Sequence, residues 1–329
     1  MTATPISMRH AVADPERPGI GSRGPAAARG AGRPGRRPRV VAAEGVSPDR
    51  SDTEARGPGL QHGRLPALLV ERLEQAVTPS AALRPWFTEI GYIPTASALA
   101  APVAHVPEAV TTLVLRTEQS GRRDALVLGP RTRAAYARTE APAGCVRLRL
   151  APGAALPLLG VTAGALTDRI LRLSDMPGVA GGFADRLAEL DPAELVSFLE
   201  SRLPRRIGDD GMRDDHQRLL TAATAAMAKG TASVGDLATE LAVSERQLRN
   251  LFTAGIGVSP KHYARIARVR QVLAAAGNTP WSDIATTTGY FDQSHMTADF
   301  RSLMGVTPQR FSRGELPAPA ECQAVTALR

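Results

Sequence analysis

The strongest constraint on how this chain folds is a duplication near its carboxyl end, within residues 233–312. Three pairs of landmark residues are separated by the same 48 positions: Phe252 and Phe300, Gly257 and Gly305, and Pro260 and Pro308. Chance similarity rarely aligns three landmarks in one order and at one offset. The segment is therefore predicted to contain one structural unit twice.

The first copy has the pattern of a helix, a turn and a second helix. Its apolar residues recur at helical spacing, which gives each helix one buried face; they are Leu237, Ala238, Leu241, Leu248, Leu251 and Phe252. Ser233 and Ser244 are placed to cap the two helices, and Gln247, three residues after Ser244, completes a capping box. The first copy is therefore predicted to be a helix-turn-helix unit.

The second copy carries different start and stop signals for the same two helices. Thr279 followed by Pro280 predicts an N-cap and a first helical residue. Gly289 suits the end of that helix, and Asp292 is placed to cap the next one. The second copy is therefore predicted to be a second helix-turn-helix unit.

The second helix of each unit presents a polar outer face, as a helix that enters the major groove of DNA must do. The candidate DNA-binding residues are Ser244, Glu245, Arg246, Arg249 and Asn250 in the first copy, and Gln293, Ser294, His295 and Thr297 in the second. Arg pairs with guanine, Asn or Gln with adenine, and the Thr methyl group contacts thymine, each for roughly 1–3 kcal/mol of discrimination. A polar helix face is commonly just a solvated face, so the position within a duplicated unit is what favours DNA binding here. For His295, fixing the turn through the backbone is an alternative.

Residues 260–276, between the two copies, are predicted to form one helix of about 17 residues, roughly 25 Å long at 1.5 Å per residue. Such a helix is a rigid spacer between two recognition helices that must lie about 34 Å apart to enter successive major grooves. Lys261, Arg265 and Arg268 on this spacer are candidates either for phosphate contacts or for salt bridges on the helix surface.

Together these motifs resemble the DNA-binding domain of AraC/XylS-type transcription regulators. The resemblance covers about 100 residues and rests on the two units, on the spacer helix, on Gly-Tyr-Phe-Asp-Gln-Ser-His at 289–295 and on Gly-Val-Thr-Pro-Gln-Arg-Phe at 305–311. It implies a seven-helix domain with recognition helices at 244–253 and 292–302. Many members carry Arg where this chain has Ala298, so a DNA contact from that position is not carried over. The implied partners are double-stranded DNA, RNA polymerase, an unidentified small-molecule effector and a second copy of the chain.

Residues 81–180 carry short strand-like runs. The runs 110–115 and 124–128 are rich in β-forming residues, and 146–150 alternates apolar residues with Arg. Residues 144–163 resemble the region of some AraC-type regulators in which a reduced cupin-like β domain precedes the helix-turn-helix pair. The predicted fold class is therefore α+β, with an N-terminal small β-barrel or cupin-like sensor domain and a C-terminal all-α domain with two helix-turn-helix units.

Composition and start signals divide the chain into four predicted segments: a disordered tail rich in Arg, Pro and Gly over 1–64, a β-rich sensor domain with a C-terminal helix over 81–205, an AraC-type DNA-binding domain over 213–312, and a flexible tail over 313–329. Residues 65–77 are predicted to form a short amphipathic helix. The helix over 191–203 has two interpretations, a dimer contact or packing on its own β domain.

The net charge of +8 does not by itself predict DNA binding, because half of it lies in residues 1–60, which hold 10 Arg against 6 Asp and Glu. With 8 Pro, 9 Gly and no aromatic residue, this segment is predicted to be disordered. It is either a basic arm that adds non-specific DNA affinity through counterion release or an extension from a start codon assigned too far upstream.

Several classes of protein are disfavoured. No run of about 18 apolar residues is present and the first residues lack the apolar core of a secretion signal, so we expect a cytoplasmic protein. Cys145 and Cys322 lie far apart, which argues against a disulfide framework or a thiolate zinc site. No cofactor and no metal are predicted, since His105 stands alone.

Candidate residues of a sensor pocket are Trp86, Tyr92, His105, Arg116, Arg131 and Tyr136.

The sequence thus predicts a sequence-specific DNA-binding transcription regulator and not an enzyme, with activation as the mode that the resemblance implies. Its two recognition helices would occupy adjacent major grooves, and a ligand or partner at the N-terminal domain would modulate binding. Two alternatives stay open. A DNA alkylation-repair protein with a similar DNA-binding domain would need a reactive cysteine in an activating cluster. An architectural DNA-binding protein would have no sensor.

Overall fold

A computed structural model describes residues 68–69, 74–93, 103–117, 120–137, 144–203, 211–228, 233–277 and 279–319 of the chain. The tail predicted over 1–64 lies outside the described residues. Residues 313–319 of the predicted C-terminal tail are described, and Leu316 among them packs against the helical core. The remainder of that tail, including Cys322, also lies outside. None of the helices in the described ranges has both the length and the apolar character that crossing a membrane requires.

The N-terminal half of the described chain is built on two β-sheets. Its nine strands are β1 (Leu68–Leu69), β2 (Gln75–Val77), β3 (Phe87–Ile93), β4 (Val103–His105), β5 (Thr112–Thr117), β6 (Arg123–Leu128), β7 (Ala135–Ala137), β8 (Gly144–Leu150) and β9 (Ile170–Arg172). Six strands form an antiparallel sheet in the order β2-β3-β8-β5-β6-β9, and the other three form the sheet β1-β4-β7. The strands predicted at 110–115, 124–128 and 146–150 correspond to β5, β6 and β8. The predicted β-rich N-terminal region is thus confirmed, whereas its closure into a barrel stays a prediction.

The amphipathic helix predicted for residues 65–77 is wrong. Within this segment, β1 pairs with β4 in parallel and β2 pairs with β3 antiparallel. Each pairing covers one edge of a sheet. Leu and Glu favour a helix, but hydrogen bonding to a sheet edge overrides this local preference.

Strand β8 has two buried faces of opposite chemistry, because alternate side chains point to opposite sides of a strand. Val146, Leu148 and Leu150 belong to the apolar core of the N-terminal half. Arg147 and Arg149 lie on the other face and are 9% and 8% exposed. Buried cations at this depth require acidic partners.

The partners of these arginines are glutamates from neighbouring segments. Arg149 contacts Glu74 at 2.8 Å, Glu108 at 3.0 Å and also Glu89, while Arg147 contacts Glu74 at 3.0 Å. Burial acts to raise the pKa of Glu108, but nearby guanidinium groups outweigh it and hold this pKa below its ordinary value. Glu108 is therefore held in its charged form, and the ion pairs tie the segments before β2 and after β4 to β8.

Two 3₁₀ helices, Leu173–Asp175 and Gly181–Phe183, and four short α-helices complete the described N-terminal half. The α-helices are α1 (Ala155–Leu159), α2 (Ala163–Leu166), α3 (Ala184–Glu189) and α4 (Pro192–Arg202). Leu195 and Leu199 of α4 are buried in the core under the larger sheet. Of the two interpretations of residues 191–203, the structure therefore shows packing on the chain's own β domain.

The C-terminal half is helical, as predicted. Its seven helices are α5 (Gly211–Ala228), α6 (Val234–Glu240), α7 (Glu245–Gly255), α8 (Pro260–Ala275), α9 (Trp281–Thr287), α10 (Gln293–Met304) and α11 (Pro308–Ser312). The predicted spacer corresponds to α8, with 16 residues. One apolar core unites these helices, and it also contains Ala104, Val106, Ala109 and Tyr136 from the β region. The two halves therefore share a core.

Candidate nucleic-acid interface

The recognition helices α7 and α10 begin at the predicted caps. The Ser244 side chain accepts a hydrogen bond from the backbone N–H of Gln247 at 3.1 Å. The Asp292 carboxylate accepts one from the backbone N–H of His295 at 2.7 Å. These bonds satisfy amide groups that have no partner inside the first turn of a helix, so the local sequence fixes where each recognition helix starts.

The cap predicted at Thr279 is wrong. Helix α9 begins at Trp281, Pro280 occupies the N-cap position, and no side-chain hydrogen bond caps this helix. The Pro280 carbonyl accepts the first helical hydrogen bond, from the backbone N–H of Ile284 at 3.1 Å. A proline has a backbone angle that fits both the N-cap and the first helical position, so the sequence pattern did not distinguish them.

Helix α7 exposes its predicted DNA-binding side chains and buries the opposite face. Glu245, Arg246, Arg249 and Asn250 are exposed, as is the cap Ser244, while Leu248 and Phe252 are fully buried. Arg249 forms an ion pair with Glu245 one turn earlier. Arg246 pairs with no acid in the part of the chain that the structure describes, so its guanidinium donors are available to a ligand.

Helix α10 has the same division into two faces. Gln293, Ser294 and His295 are exposed and Thr297 is half-buried, whereas Met296, Phe300 and Leu303 are buried. The exposed Ala298 offers no charged group. The His295 ring meets the Tyr290 ring edge-on, with centroids 5.2 Å apart. His295 thus contacts the turn with its ring as well as with its backbone N–H.

The spacer helix α8 is joined to α10 by a buried carboxylate. Asp299 lies 2.8 Å from Arg265 Nε and 3.5 Å from Arg268 Nη2, and Arg265 also donates to the Ser302 hydroxyl at 3.1 Å. Of the two interpretations of these arginines, the structure therefore shows salt bridges. Lys261, at the start of α8, is exposed and has no acidic partner among the described residues.

Phe291, in the turn before α10, is 94% exposed and was not among the residues predicted from the sequence. Its neighbour Tyr290 is buried, and burial together with the Asp299 carboxylate raises the pKa of Tyr290 to about 12. The signal was present in the sequence as two adjacent aromatic residues before a capping Asp. Only one of two consecutive side chains in a tight turn can enter the core, so the other must face solvent.

A cavity of about 390 Å³ lies in the N-terminal half, between the larger sheet and helices α3 and α4. Its walls include Tyr92, Leu115, Arg116, Cys145, Leu187 and Leu195. Tyr92 and Arg116 were predicted as pocket residues. The other predicted pocket residues line no part of this cavity.

Burial shifts the pKa values of His105 and Cys145 in the N-terminal half. Burial, with Arg131 and Arg147 nearby, lowers the pKa of His105 to about 3, so its imidazole is neutral near pH 7. Burial raises the pKa of Cys145 to about 11. A reactive cysteine requires a lowered pKa, which is the opposite of what Cys145 has.

Comparison with known proteins places this site in a wider context. Residues 237–314 match a family model described as a helix-turn-helix domain, so the predicted resemblance is confirmed for this segment. The uncharacterized HTH-type transcriptional regulator YidL of Escherichia coli (strain K12) is 32% identical over 105 residues, which are 30% of this chain and 35% of that protein. The chain thus spans 35% of the length of this relative.

Solved structures of transcription regulators also match. An AraC-type regulator from Chromobacterium violaceum is 25% identical, with 30% of this chain and 91% of that chain covered at a TM-score of 0.28. ToxT from Vibrio cholerae is 12% identical, with 68% of this chain and 96% of that chain covered at a TM-score of 0.34.

Proposed function

We propose that this chain, whose residues 237–314 match a helix-turn-helix family model, is a sequence-specific DNA-binding transcription regulator of the AraC type. The observation that carries the proposal is the pair of duplicated helices α7 and α10. Each buries one face in a common core and leaves a polar face in solvent, which is the arrangement that major-groove binding needs.

Arg246 is the principal base-reading residue of α7 in this proposal. Its side chain is exposed and has no acidic partner among the described residues, so the planar fork can pair with the O6 and N7 atoms of a guanine. Arg249 must first share or leave its contact with Glu245. That exposed pair costs only about 0.3–0.5 kcal/mol to break, and Arg249 therefore remains a base-reading residue of second rank beside Asn250.

In α10, Gln293, Ser294 and Thr297 are the proposed base contacts, and His295 adds a contact while supporting the turn. Phe291 extends this surface with an exposed apolar ring, which suits the methyl group of a thymine. Lys261 is the proposed phosphate contact, because it is exposed and has no acidic partner among the described residues. Arg265 and Arg268 act through Asp299 by holding α10 against the spacer helix.

Modulation by a small molecule is the second part of the proposal. The 390 Å³ cavity has a mostly apolar wall with a few polar groups, as ligand pockets commonly do. A regulator of this kind acts in the cytoplasm and meets RNA polymerase there. Activation and pairing with a second copy are the modes that the resemblance implies.

Selection from a pool of random double-stranded DNA with the purified full chain tests the function. We expect enrichment of a motif with two halves whose centres lie about 10–10.5 base pairs apart. Arg246→Ala should weaken binding to the selected site by roughly 5- to 150-fold, the equivalent of one bidentate base contact. Binding to unrelated DNA should change far less. Arg186→Ala is the matched control, because it removes the same exposed charge from the N-terminal half.

The alternatives predict different outcomes. An architectural protein would bind DNA without enriching any motif, and that result would remove the proposal. A repair protein would gain the mass of an alkyl group after incubation with alkylated DNA. The high pKa of Cys145 leads us to expect no transfer to that residue.

A further inference from the structure

The N-terminal half contacts the C-terminal end of each recognition helix. We infer that these contacts fix the placement of α7 relative to α10 and thereby set the half-site spacing that the protein accepts on DNA. The inference rests on the proposed function for its DNA consequence, while the contacts themselves can be tested without DNA.

At α10, two hydrogen bonds come from the segment around β7. The backbone N–H of Ala134 donates to the Leu303 carbonyl at 2.7 Å, and the Tyr136 hydroxyl donates to the Met304 carbonyl at 2.7 Å. Carbonyl groups in the last turn of a helix have no partner within that helix. Tyr136 is buried, and burial raises its pKa, so the hydroxyl remains a donor over the physiological pH range.

At α7, the equivalent position is held in the same way. The backbone N–H of Gly153 donates to the Gly255 carbonyl at 3.1 Å. Gly255 and Leu303 are 48 residues apart, which is the offset of the duplication. One atom of the repeated unit is therefore held in both copies by a backbone amide of the N-terminal half.

Two further contacts tighten the attachment at α7. The Thr167 hydroxyl donates to the Gly257 carbonyl at 2.7 Å. Helix α2 also packs on α7 at Gly164, where an added Cβ would lie 2.8 Å from the Thr253 carbonyl oxygen. The backbones of the two helices are thus so close that only glycine fits between them.

The spacer helix is attached as well, because Arg270 Nη1 donates to the Pro107 carbonyl at 3.3 Å. The two recognition helices are therefore linked twice, once through α8 and once through the N-terminal half. A binding site held in one geometry before its partner arrives loses less freedom on binding and tolerates less variation in the partner. The expected consequence on DNA is strict spacing between half-sites.

The first test varies the spacing of the selected site. Inserting one base pair moves one half-site by about 3.4 Å and rotates it by about 35°, and we expect the wild-type chain to lose at least about tenfold in affinity. Tyr136→Phe combined with Thr167→Val removes two holding hydrogen bonds and keeps the side-chain volumes. Because two ordinary hydrogen bonds correspond to roughly a tenfold change, the double variant should lose about threefold or less on insertion.

The ratio of the affinities for DNA with the selected spacing and for DNA with one inserted base pair distinguishes a loss of positioning from a general loss of stability. A variant that is only less stable would bind both spacings more weakly by the same factor and leave the ratio at the wild-type value, which would overturn the inference. Ser201→Ala is the control, since it removes a hydroxyl that donates to the Phe198 carbonyl within α4. It should leave the ratio unchanged.

A packing variant tests the same contact without removing a donor. Gly164→Ala should push α2 away from α7 and relax the spacing preference. Gly182→Ala is its matched control, because an added Cβ there meets nothing within 4 Å. Equal spacing ratios for the two alanine variants would contradict the inferred contact.

Amide hydrogen exchange of the full chain, without DNA, gives an independent measurement. Tyr136→Phe should accelerate exchange in the last turn of α10 and leave that of α7 unchanged, and Thr167→Val should do the reverse. Exchange at wild-type rates in both turns would overturn the inference even if the DNA-binding function holds. Failure of the DNA selection would instead remove the proposed function, and the exchange data would still decide whether the helix ends are held.

Discussion

Replacing Asp299 by Ala removes the acid that joins the spacer helix to the second recognition helix. Its side chain is 12% exposed and lies 2.8 Å from Arg265 Nε and 3.5 Å from Arg268 Nη2. Removing one partner of a fully buried pair costs about 3–5 kcal/mol, because the other charge stays desolvated. The two arginine side chains keep 27% and 25% of their exposure. Water therefore offsets part of this cost, and we expect a loss of about 2–3 kcal/mol in the free energy of unfolding.

Denaturant unfolding at neutral pH measures this loss directly. Asp299→Asn keeps an oxygen acceptor and should cost less than Asp299→Ala. Ser302→Ala is the control, because it removes only the 3.1 Å contact with Arg265 and should cost about 0.5–1.5 kcal/mol. A double-mutant cycle with Arg265→Ala should give a coupling of at least about 1 kcal/mol. Additive effects, or a loss below about 0.5 kcal/mol for Asp299→Ala, would refute the assignment of Asp299 as the joint between the helices.

Three further predictions follow from single side chains. Phe291→Ala should weaken binding to the selected site, and replacing the contacted thymine by uracil should weaken the wild-type chain but not the variant; Leu156→Ala, also an exposed apolar residue, is the control. His105 is neutral in the fold and its pKa is lowered to about 3, so the unfolded chain binds the extra proton between about pH 6.5 and 3. The free energy of unfolding should therefore decrease as the pH is lowered through that window, by up to about 1.4 kcal/mol per pH unit. His105→Gln should remove this part of the pH dependence in unfolding measured at successive pH values. Thr111 has a buried hydroxyl with no hydrogen-bond partner among the described residues. Thr111→Val should therefore raise the free energy of unfolding by about 1 kcal/mol. A variant less stable than the wild-type chain would indicate that the hydroxyl has a partner.

Local signals were sufficient to predict the helix starts of the candidate interface. Ser244 and Asp292 cap α7 and α10 as their spacing predicts, because a cap involves only a side chain and an amide three residues away. Thr279 failed on the same kind of evidence, since Pro280 fits two neighbouring helix positions equally well. The predicted helix start differs from the observed one by a single residue, and helix α9 itself lies where the periodicity predicts it.

Contacts between segments that are distant in the chain could not be predicted from the sequence. Residues 65–77 have the composition of a helix, but free sheet edges at β3 and β4 convert parts of them to strand. The alternation of Arg147 and Arg149 with apolar neighbours predicts the strand correctly. It does not reveal that Glu74 and Glu108, from two other segments, allow the face with both arginines to be buried. No local pattern encodes which edge or which charge a segment will meet.

The duplication can be recognised in the sequence, but the contacts that its equivalent residues make are found only in the tertiary structure. The offset of 48 residues identifies Gly255 and Leu303 as equivalent, yet neither residue has a side chain that predicts a contact. Both equivalent carbonyls accept an N–H from the N-terminal half, one from Gly153 and one from Ala134. The carbonyls at the end of a helix need hydrogen-bond donors from outside that helix. Because the unit is duplicated, two helix ends with the same local geometry need such donors. We therefore infer that the N-terminal half, which satisfies both helix ends, controls the distance between the two units.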